Sequence, residues 1–207
     1  MSVVIFDTEY LTDEGVMSRY WSGINDVPPL LVQLAAYKID AVKGLPIVGE
    51  LFFLSKPRDA YGKMITPSAY FTRLTGITTE RIAGEGIEFN EAMDKFLSFI
   101  GSDGIAYSYG NDFLRPLLYT CFYAGYQLPF SAKRGRDIRK VFCAAGMSEA
   151  EVSSQSSGSI SKYLGIDIDA KYGHIHDARF DALSIIEALR FLEKNGRLQP
   201  DILLNII

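Results

Sequence analysis

Two acidic residues near the start of the chain, Asp7 and Glu9, directly follow the apolar residues 3–6. Residues two positions apart on a β-strand point to the same side of the sheet, so both carboxylates would share one face. Carboxylates that are partly removed from water repel each other and resist ionisation unless a cation or a proton compensates. The pair therefore suggests a cation site. The alternative, in which Asp7 only ends the strand and Glu9 faces solvent, fits the pair taken alone equally well.

A second group of polar residues lies between His176 and Asp181, where a helical pattern of apolar residues begins. Asp177 has an ordinary role there, because a side-chain oxygen is favoured at a helix N-cap. Asp181 has no such role, and the small side chain of Ala182 beside it leaves room for an ion. His176 alone would be interpreted as a hydrogen-bonded histidine near a helix start. However, the chain has only two histidines, and a general base near neutral pH is most easily made from histidine.

A third acidic position, Asp112, follows a short apolar segment at residues 104–108. Pro116 is tolerated only in the first turn of a helix, so the helix that ends near Ala124 must begin close to Asn111 or Asp112. Asp112 therefore lies at a strand-to-helix junction. Taken by itself, it is best explained as the N-cap of that helix.

Periodicity predicts the elements that must position these residues. Apolar runs rich in β-branched residues indicate strands, and the first three strands form an antiparallel meander whose second turn contains Gly44 and Pro46. Strands that precede most of the helices, with one strand-helix alternation between them, predict an α/β domain with a mixed sheet. The predicted strands are 3–6, 31–39, 47–54 and 104–108, and the predicted helices are 69–74, 89–100, 114–124, 137–145 and 177–195.

Three other segments carry specific expectations. Residues 10–29 contain Gly15, Gly23 and two prolines, and long connections of this kind tend to be functional, so we interpret this segment as a flap over a site. The Ser-rich residues 149–159 are expected to form an exposed loop. The apolar residues 201–207 are expected to dock on the domain or on a partner.

The composition limits the class of protein. With 207 residues and 48% hydrophobic side chains, we expect one domain with a full core that spans residues 1–207. The net charge of −4 argues against passive nucleic-acid binding, so any phosphate partner must meet a local basic surface. Cys121 and Cys143 lack metal-ligand spacing and are expected to be reduced. No segment resembles a signal peptide or a membrane span, which predicts a soluble cytoplasmic protein without a membrane partner.

These positions together resemble the DEDDh family of 3′-to-5′ exonucleases, and the resemblance extends over nearly the whole chain. Residues 7–9, Asp-Thr-Glu, match the family's Asp-x-Glu motif after a buried strand. Asp112 lies where the family has an aspartate at a strand-to-helix junction. His176 and Asp181 match the family's His-x-Ala-x-x-Asp motif at the start of a late helix. The similarity also covers Ala178, residues 32–36 and residues 74–78.

The resemblance implies a ribonuclease H-like fold with a central mixed sheet of five strands flanked by helices. It implies two Mg²⁺ or Mn²⁺ ions, held by the carboxylates of Asp7, Glu9, Asp112 and Asp181, with His176 as the general base. The implied activity is hydrolysis of single-stranded RNA or DNA from its 3′ end, with release of nucleoside monophosphates.

The resemblance also implies contacts with the substrate at Thr8, Tyr10, Leu11 and Asn111. Tyr10 and Leu11 occupy the positions where the family has a wedge against the terminal base, although ordinary packing at a strand end is the alternative. A basic cluster is a further candidate, since it could follow the phosphate backbone, although a solvated surface would explain it as well. Its members are Lys133, Arg134, Arg136, Arg139 and Lys140.

Two other functions fit the same residues. One is a proofreading exonuclease subunit that works on DNA beside a polymerase, and the other is an adaptor that kept the fold without catalysis. The chain has Tyr-Leu-Thr at residues 10–12 where many relatives have Thr-Gly, so the sequence does not decide between RNA and DNA. A homodimer is also compatible with the sequence.

Overall fold

Five strands form one mixed sheet in the order β3-β2-β1-β4-β5, in a computed structural model that describes residues 1–110, 112–128 and 134–205. β1, β2 and β3 form the predicted antiparallel meander. β4 and β5 run parallel to β1 on its other side. The strands are β1 Ser2–Tyr10, β2 Leu31–Asp40, β3 Ile47–Leu54, β4 Ala106–Ser108 and β5 Gly135–Asp137.

Two strands differ from the sequence-based expectation. β1 continues to Tyr10 instead of ending at Asp7, because its acidic end pairs with β2, with Glu9 opposite Gln33 and Tyr10 opposite Leu31. β5 was not predicted, since its three residues, Gly-Arg-Asp, contain no apolar side chain. Its pairing with the buried strand β4, and not its own composition, makes it a strand.

Nine helices surround the sheet in the described part of the chain. The predicted helices 69–74, 89–100 and 177–195 are confirmed within one or two residues, whereas α2 was missed. The expected loop at 149–159 is wrong in its first half, because Ser148 and Glu151 form a capping box that starts α6. The helices are α1 Ala69–Thr75, α2 Thr79–Glu85, α3 Phe89–Ile100, α4 Leu118–Ala124, α5 Arg139–Ala144, α6 Glu149–Ser153, α7 Ile160–Tyr163, α8 Ala178–Lys194 and α9 Ile202–Asn205.

The turn before α4 is wider than an ordinary helical turn. Residues Phe113–Leu117 form a π-helical turn that contains Pro116. The Leu117 N–H lies 3.5 Å from the Asp112 carbonyl oxygen, five residues earlier. The wide turn accommodates a proline that has no N–H to donate, so the helical segment begins directly after Asp112, as the sequence predicts.

The two faces of β1 face different helices, because side chains alternate along a strand. Val3 and Ile5 belong to a core cluster with residues of α8, such as Ile185. Val4 and Phe6 belong to a second cluster, with residues of α3. The next odd-numbered residues of β1 are acidic, so the strand carries two carboxylates toward the beginning of α8.

The remaining expectations concern the cysteines and the C-terminal segment. Cys121 and Cys143 are both free thiols. α9 docks on its own domain, since Leu203 is buried and its carbonyl oxygen accepts a hydrogen bond from Tyr107 Oη at 2.9 Å. None of the helices in the described ranges is both long and apolar enough to cross a membrane.

Candidate active site

Three carboxylates meet where the end of β1 faces the start of α8. Asp7 and Glu9 are 3% and 8% exposed, and Asp181, in the first turn of α8, is 3% exposed. The Gln33 side chain, whose residue pairs with Glu9, fixes this geometry, because its Oε1 accepts a hydrogen bond from Ala178 N at 2.9 Å. The start of α8 is therefore tied to the sheet beside the acidic end of β1, and the solvent-exposed alternative for Glu9 is wrong.

His176 stands directly before α8 and joins this group. Glu9, His176 and Asp181 each offer one ligand atom, and these three atoms lie within 4.8 Å of one another. The backbone of His176 has a left-handed φ of 74°, and its N–H lies 3.3 Å from Asp181 Oδ1. Burial, followed by the nearby His174, lowers the pKa of His176 below its ordinary value of 6.5. The imidazole is therefore neutral at pH 7 and can accept a proton.

Asp112 approaches the same cavity from the end of β4. It is half-buried and lies in the loop between β4 and the π-helical turn. Asp137, at the end of β5, supports this loop by accepting hydrogen bonds from the N–H groups of Gly110 and Arg139, each at 3.0 Å. Gly110 has a φ of 87°, a conformation that glycine adopts without strain.

Burial and neighbouring negative charges raise the pKa values of the four carboxylates. Burial raises the pKa of Asp7 and of Glu9 well above their ordinary values, and the charges of Asp181 and Asp112 add to both shifts. Burial likewise raises the pKa of Asp112 and of Asp181 from 3.8 to about 7. Neighbouring groups offset part of these two shifts: Thr8 beside Asp112, and the His176 N–H and Ser157 beside Asp181.

The donor set fits a hard divalent cation. Among the described residues, none of the four carboxylates forms an ion pair with lysine or arginine. A buried, mutually repulsive set of oxygen donors is unfavourable by itself, and a divalent cation would reverse the sign of that electrostatic energy.

A pH dependence of stability follows from the shifts of Asp112 and Asp181. In the unfolded chain both ionise near 3.8, whereas in the folded protein they keep protons up to about pH 7. The protonated carboxyl groups make their full contribution to the free energy of unfolding below about pH 4, and this contribution is lost as the pH rises to about 7. We expect the melting temperature in EDTA to fall from pH 5 to pH 7.5, and Mn²⁺ to offset that fall. A metal-free melting temperature that stays constant over this range would contradict the shifts.

The loop between α6 and α7 contributes to the site in a way that the sequence did not reveal. Ser157 Oγ donates a hydrogen bond to Asp181 Oδ2 at 3.3 Å. Gly158 is buried against the same carboxylate, and a Cβ placed there would overlap Asp181 Oδ1 and stand 2.9 Å from its Cγ. The Ser-rich composition concealed this contact, since nothing in it distinguishes a supporting loop from a solvated one.

Replacing Gly158 by alanine is therefore expected to displace the Asp181 carboxylate. A shift of about 1 Å in a reacting group costs on the order of a hundredfold in rate, so turnover should fall by about that factor. Gly84→Ala is the matched control, because its Cβ would meet no atom within 4 Å and helix α2 should gain stability. Steady-state rates and melting curves of both variants test this. Equal turnover in the two variants would show that Gly158 does not position Asp181.

These side chains line one open cavity of about 410 Å³. The connection predicted as a flap contributes Met17 and Tyr20 to its wall, which supports that interpretation. Arg115 and Arg139 are the basic residues of the wall. Arg139 forms an ion pair with Asp137 at 2.6 Å, and the Arg115 guanidinium lies 5.1 Å from the centre of the Tyr20 ring. The sequence did not single out Arg115, because one arginine early in a helix carries no distinctive signal.

The structure places some of the predicted substrate-contacting residues at the cavity and others away from it. Thr8 and Tyr10 line the cavity, and the Tyr10 ring lies 5.6 Å from the ring of Trp21 in the flap. Leu11 does not face the cavity, because it is 1% exposed and belongs to a third core cluster. Asn111 lies outside the described residues.

The basic cluster is not brought to the cavity as a group. The Arg134 guanidinium donates to the carbonyl oxygens of Gly101 and Gly104, at the opposite end of β4 from Asp112. Arg136 lies 3.4 Å from Tyr107 Oη, and neither arginine lines the cavity. The structure therefore does not bring Arg134 and Arg136 to the cavity. Of the cluster, Arg139 alone lines the cavity within the described residues, and Lys133 lies outside them.

Comparison with known proteins supports the fold. No protein-family model matches the sequence, and no curated protein matches it. The nuclease domain of 3′hExo, a DEDDh family member bound to rAMP, matches with a TM-score of 0.73 at 17% identity, covering 94% of this chain and 92% of that chain. Cell-death related nuclease 4 matches with a TM-score of 0.70 at 20% identity, covering 94% of this chain and 64% of that chain.

A third solved structure extends the same similarity to a longer protein. E. coli Exonuclease I in complex with a dT13 oligonucleotide matches with a TM-score of 0.64 at 18% identity, covering 93% of this chain and 41% of that chain. At these identities the similarity shows the fold. The predicted ribonuclease H-like fold, a five-stranded mixed sheet flanked by helices, is confirmed, and the resemblance to DEDDh exonucleases holds at the level of the whole fold.

Proposed function

We propose that this protein is a metal-dependent exonuclease that removes nucleoside monophosphates from the 3′ end of single-stranded RNA or DNA. One observation carries the proposal: four carboxylates from β1, the β4 loop and α8 line one cavity together with a neutral histidine. Such a cluster costs stability, so a fold that serves only as a scaffold has no use for it. The solved nucleases that share the fold support the same class of reaction.

Each residue of the site would have a distinct role in the reaction. Asp7, Glu9, Asp112 and Asp181 would hold two Mg²⁺ or Mn²⁺ ions, which when bound stabilise the charge that develops on the phosphate. His176 would accept the proton of the attacking water at a ring nitrogen, since burial keeps the imidazole neutral. The backbone contact between His176 N and Asp181 Oδ1 would hold the base next to the acids.

In this proposal, aromatic and polar residues of the cavity wall contact the substrate. Tyr10 and Tyr20 would pack against the terminal base, because aromatic rings stack on every base without reading its sequence. Arg115 and Arg139 would contact the phosphates. Thr8 would contact the terminal nucleotide beside Asp112. These contacts offer no reader of the 2′-hydroxyl, so RNA and DNA should both be tested.

The deciding experiment is a gel assay with strands labelled at the 5′ end. Single-stranded RNA, single-stranded DNA and duplex are each incubated with the protein in Mg²⁺, Mn²⁺ or EDTA. We expect a ladder that shortens by single nucleotides from the 3′ end in either metal, with no products in EDTA. Asp181→Asn is the control for a contaminating nuclease.

Other outcomes select other functions. Internal cuts would indicate an endonuclease, and binding without hydrolysis would indicate the adaptor. Activity only on DNA duplexes with a mismatched 3′ end would favour a proofreading exonuclease. If metal-dependent products persisted in Asp181→Asn, this site would not be the one that catalyses the reaction.

A further inference from the structure

Three aromatic side chains on α4 form an exposed strip next to the site. We call Tyr119, Phe122 and Tyr123 the aromatic strip. Tyr119 is 42% exposed and Phe122 is 82% exposed, while Tyr123 is half-buried. The rings of Tyr119 and Tyr123 are stacked, with centroids 5.3 Å apart and an interplanar angle of 24°. Phe122 meets Tyr123 edge to face at 6.1 Å. Such exposure of large apolar rings is unfavourable in water unless something covers them.

The aromatic strip begins at the wall of the acidic cavity. Arg115, which lines that cavity, stands one helical turn before Tyr119 on the same helical segment. Tyr20 extends the series into the cavity, because its ring lies 5.1 Å from the Arg115 guanidinium. The strip therefore continues a row of side chains that starts beside Asp7 and Asp112.

A second cavity lies at the far end of the aromatic strip. It has a volume of about 450 Å³ and is lined by Tyr123 together with Lys56, Arg58 and Asn90. Arg115 and Tyr123 are eight residues apart, which corresponds to about 12 Å along a helix. A chain that leaves the acidic cavity along α4 would thus reach the second cavity within a few nucleotides.

The charges of the second cavity are nearly balanced. Arg58 forms an ion pair with Glu88 at 2.7 Å, and the lining contains one further base, Lys56, and one further acid, Asp59. Stacking, rather than attraction for phosphate, is therefore the interaction that this surface offers. Bases of a single strand are flat and exposed, and they stack on aromatic side chains whatever their sequence.

We propose that the aromatic strip and the second cavity bind the segment of single-stranded nucleic acid that lies 5′ to the nucleotide being removed. This inference rests on the proposed function, because it takes the 3′ end to lie at the carboxylates. It assigns to α4 the affinity for substrates longer than a dinucleotide. A protein partner fits less well, since the exposed parts of the three rings offer about 400 Å² at most, below the roughly 500 Å² that each partner contributes to a stable interface.

The test measures binding apart from turnover, with the full chain. Binding of a fluorescent single strand of about twelve nucleotides is followed by anisotropy in EDTA, a length within the range of single-strand sites. Tyr119→Ala combined with Phe122→Ala should weaken binding by about tenfold or more, because each lost base–aromatic stack costs about fivefold or more. The slope of affinity against salt should change little, since no phosphate contact is removed.

Steady-state rates on substrates of two lengths then show which part of the substrate contacts the aromatic strip. In Mg²⁺, the double variant should raise the KM of the long strand by about tenfold and leave both kcat and the KM of a dinucleotide unchanged. Tyr119→Phe keeps the ring and should bind as the unchanged protein does. Tyr163→Ala, on α7, is the control for an exposed tyrosine elsewhere, with 45% exposure against 42% for Tyr119.

The outcomes separate this inference from the proposed function. If the unchanged protein hydrolyses nothing but the double variant still loses strand binding, the exonuclease is wrong and the single-strand surface stands. If hydrolysis occurs and the double variant binds the long strand normally, the strip does not bind substrate. A changed oligomeric state of the double variant, with unaltered strand binding, would make the strip a contact between proteins and overturn the inference.

Discussion

Asp7→Asn is expected to abolish metal-dependent hydrolysis and, at the same time, to stabilise the metal-free protein. Asp7 stands at the centre of the cluster, because the charges of Asp181, Asp112 and Glu9 all raise its pKa. The amide keeps the size of the side chain but removes the charge that a divalent cation would bind. The loss of several kcal/mol of transition-state stabilisation corresponds to a rate decrease of about a thousandfold or more.

The stability gain has the same electrostatic cause. Above neutral pH, the folded protein without metal must accommodate buried negative charge, and the asparagine removes one such charge. A single pKa unit corresponds to about 1.4 kcal/mol, so a rise in melting temperature of about 3 °C or more is expected in EDTA at pH 8. The difference should shrink as the pH falls towards the ordinary aspartate pKa of 3.8, because protonation then removes the buried charge of Asp7.

Asp103→Asn is the matched control for this experiment. Asp103 is an exposed acid in the turn before β4, and it does not line the cavity. Its variant should keep both its activity and its melting temperature in EDTA. If Asp7→Asn lowered the melting temperature in EDTA at pH 8, or retained metal-dependent hydrolysis, the repulsive cluster would not be the metal site.

His176→Asn is expected to lower turnover by about a hundredfold or more while metal affinity stays unchanged. Asparagine is the suitable replacement because it adopts left-handed backbone conformations, and His176 has a φ of 74°. The variant therefore keeps the backbone that places the N–H near Asp181 Oδ1, and it loses only the ring nitrogen that accepts a proton. A factor of about a hundred is the lower end for a lost general base.

Metal affinity distinguishes this role from the obvious alternative. His176 lies close enough to Glu9 and Asp181 to serve as a metal ligand. A ligand role predicts that Mn²⁺ binding, measured by calorimetry, weakens by about tenfold or more in His176→Asn, whereas a base role predicts no change. The ascending limb of the rate–pH profile should lie below pH 6.5, because burial lowers the pKa of His176, and it should disappear in the variant.

The elements with strong apolar periodicity could be predicted from the order of the amino acids. β2, β3, α3 and α8 were predicted almost to the residue, because their apolar spacing reflects which face is buried. The acidic positions 7, 9, 112 and 181 could be recognised only as a set. Asp112 alone is explained as a helix N-cap, and the pair Asp7 and Glu9 alone is explained as a strand end, whereas the order and spacing of all four match one set of motifs.

Folding brings residues of ordinary type against the carboxylates, and the local sequence gives no sign of these contacts. Ser157 and Gly158 reach Asp181 from 23 or 24 positions away, and their composition is that of any loop. Arg134 and Arg136 are of a residue type that often binds phosphate. In the folded domain, however, their guanidinium groups contact backbone and tyrosine oxygens.

This difference arises from the range over which the interactions act. Periodicity and capping act within a few residues and leave a record in the local sequence. Contacts across the fold depend on which surfaces pack together. For example, β5 is a strand because it pairs with β4, and the aromatic strip lies on α4, which leads away from the acidic cavity. Individual tyrosines, glycines and arginines carry no mark of these contacts before the chain is folded.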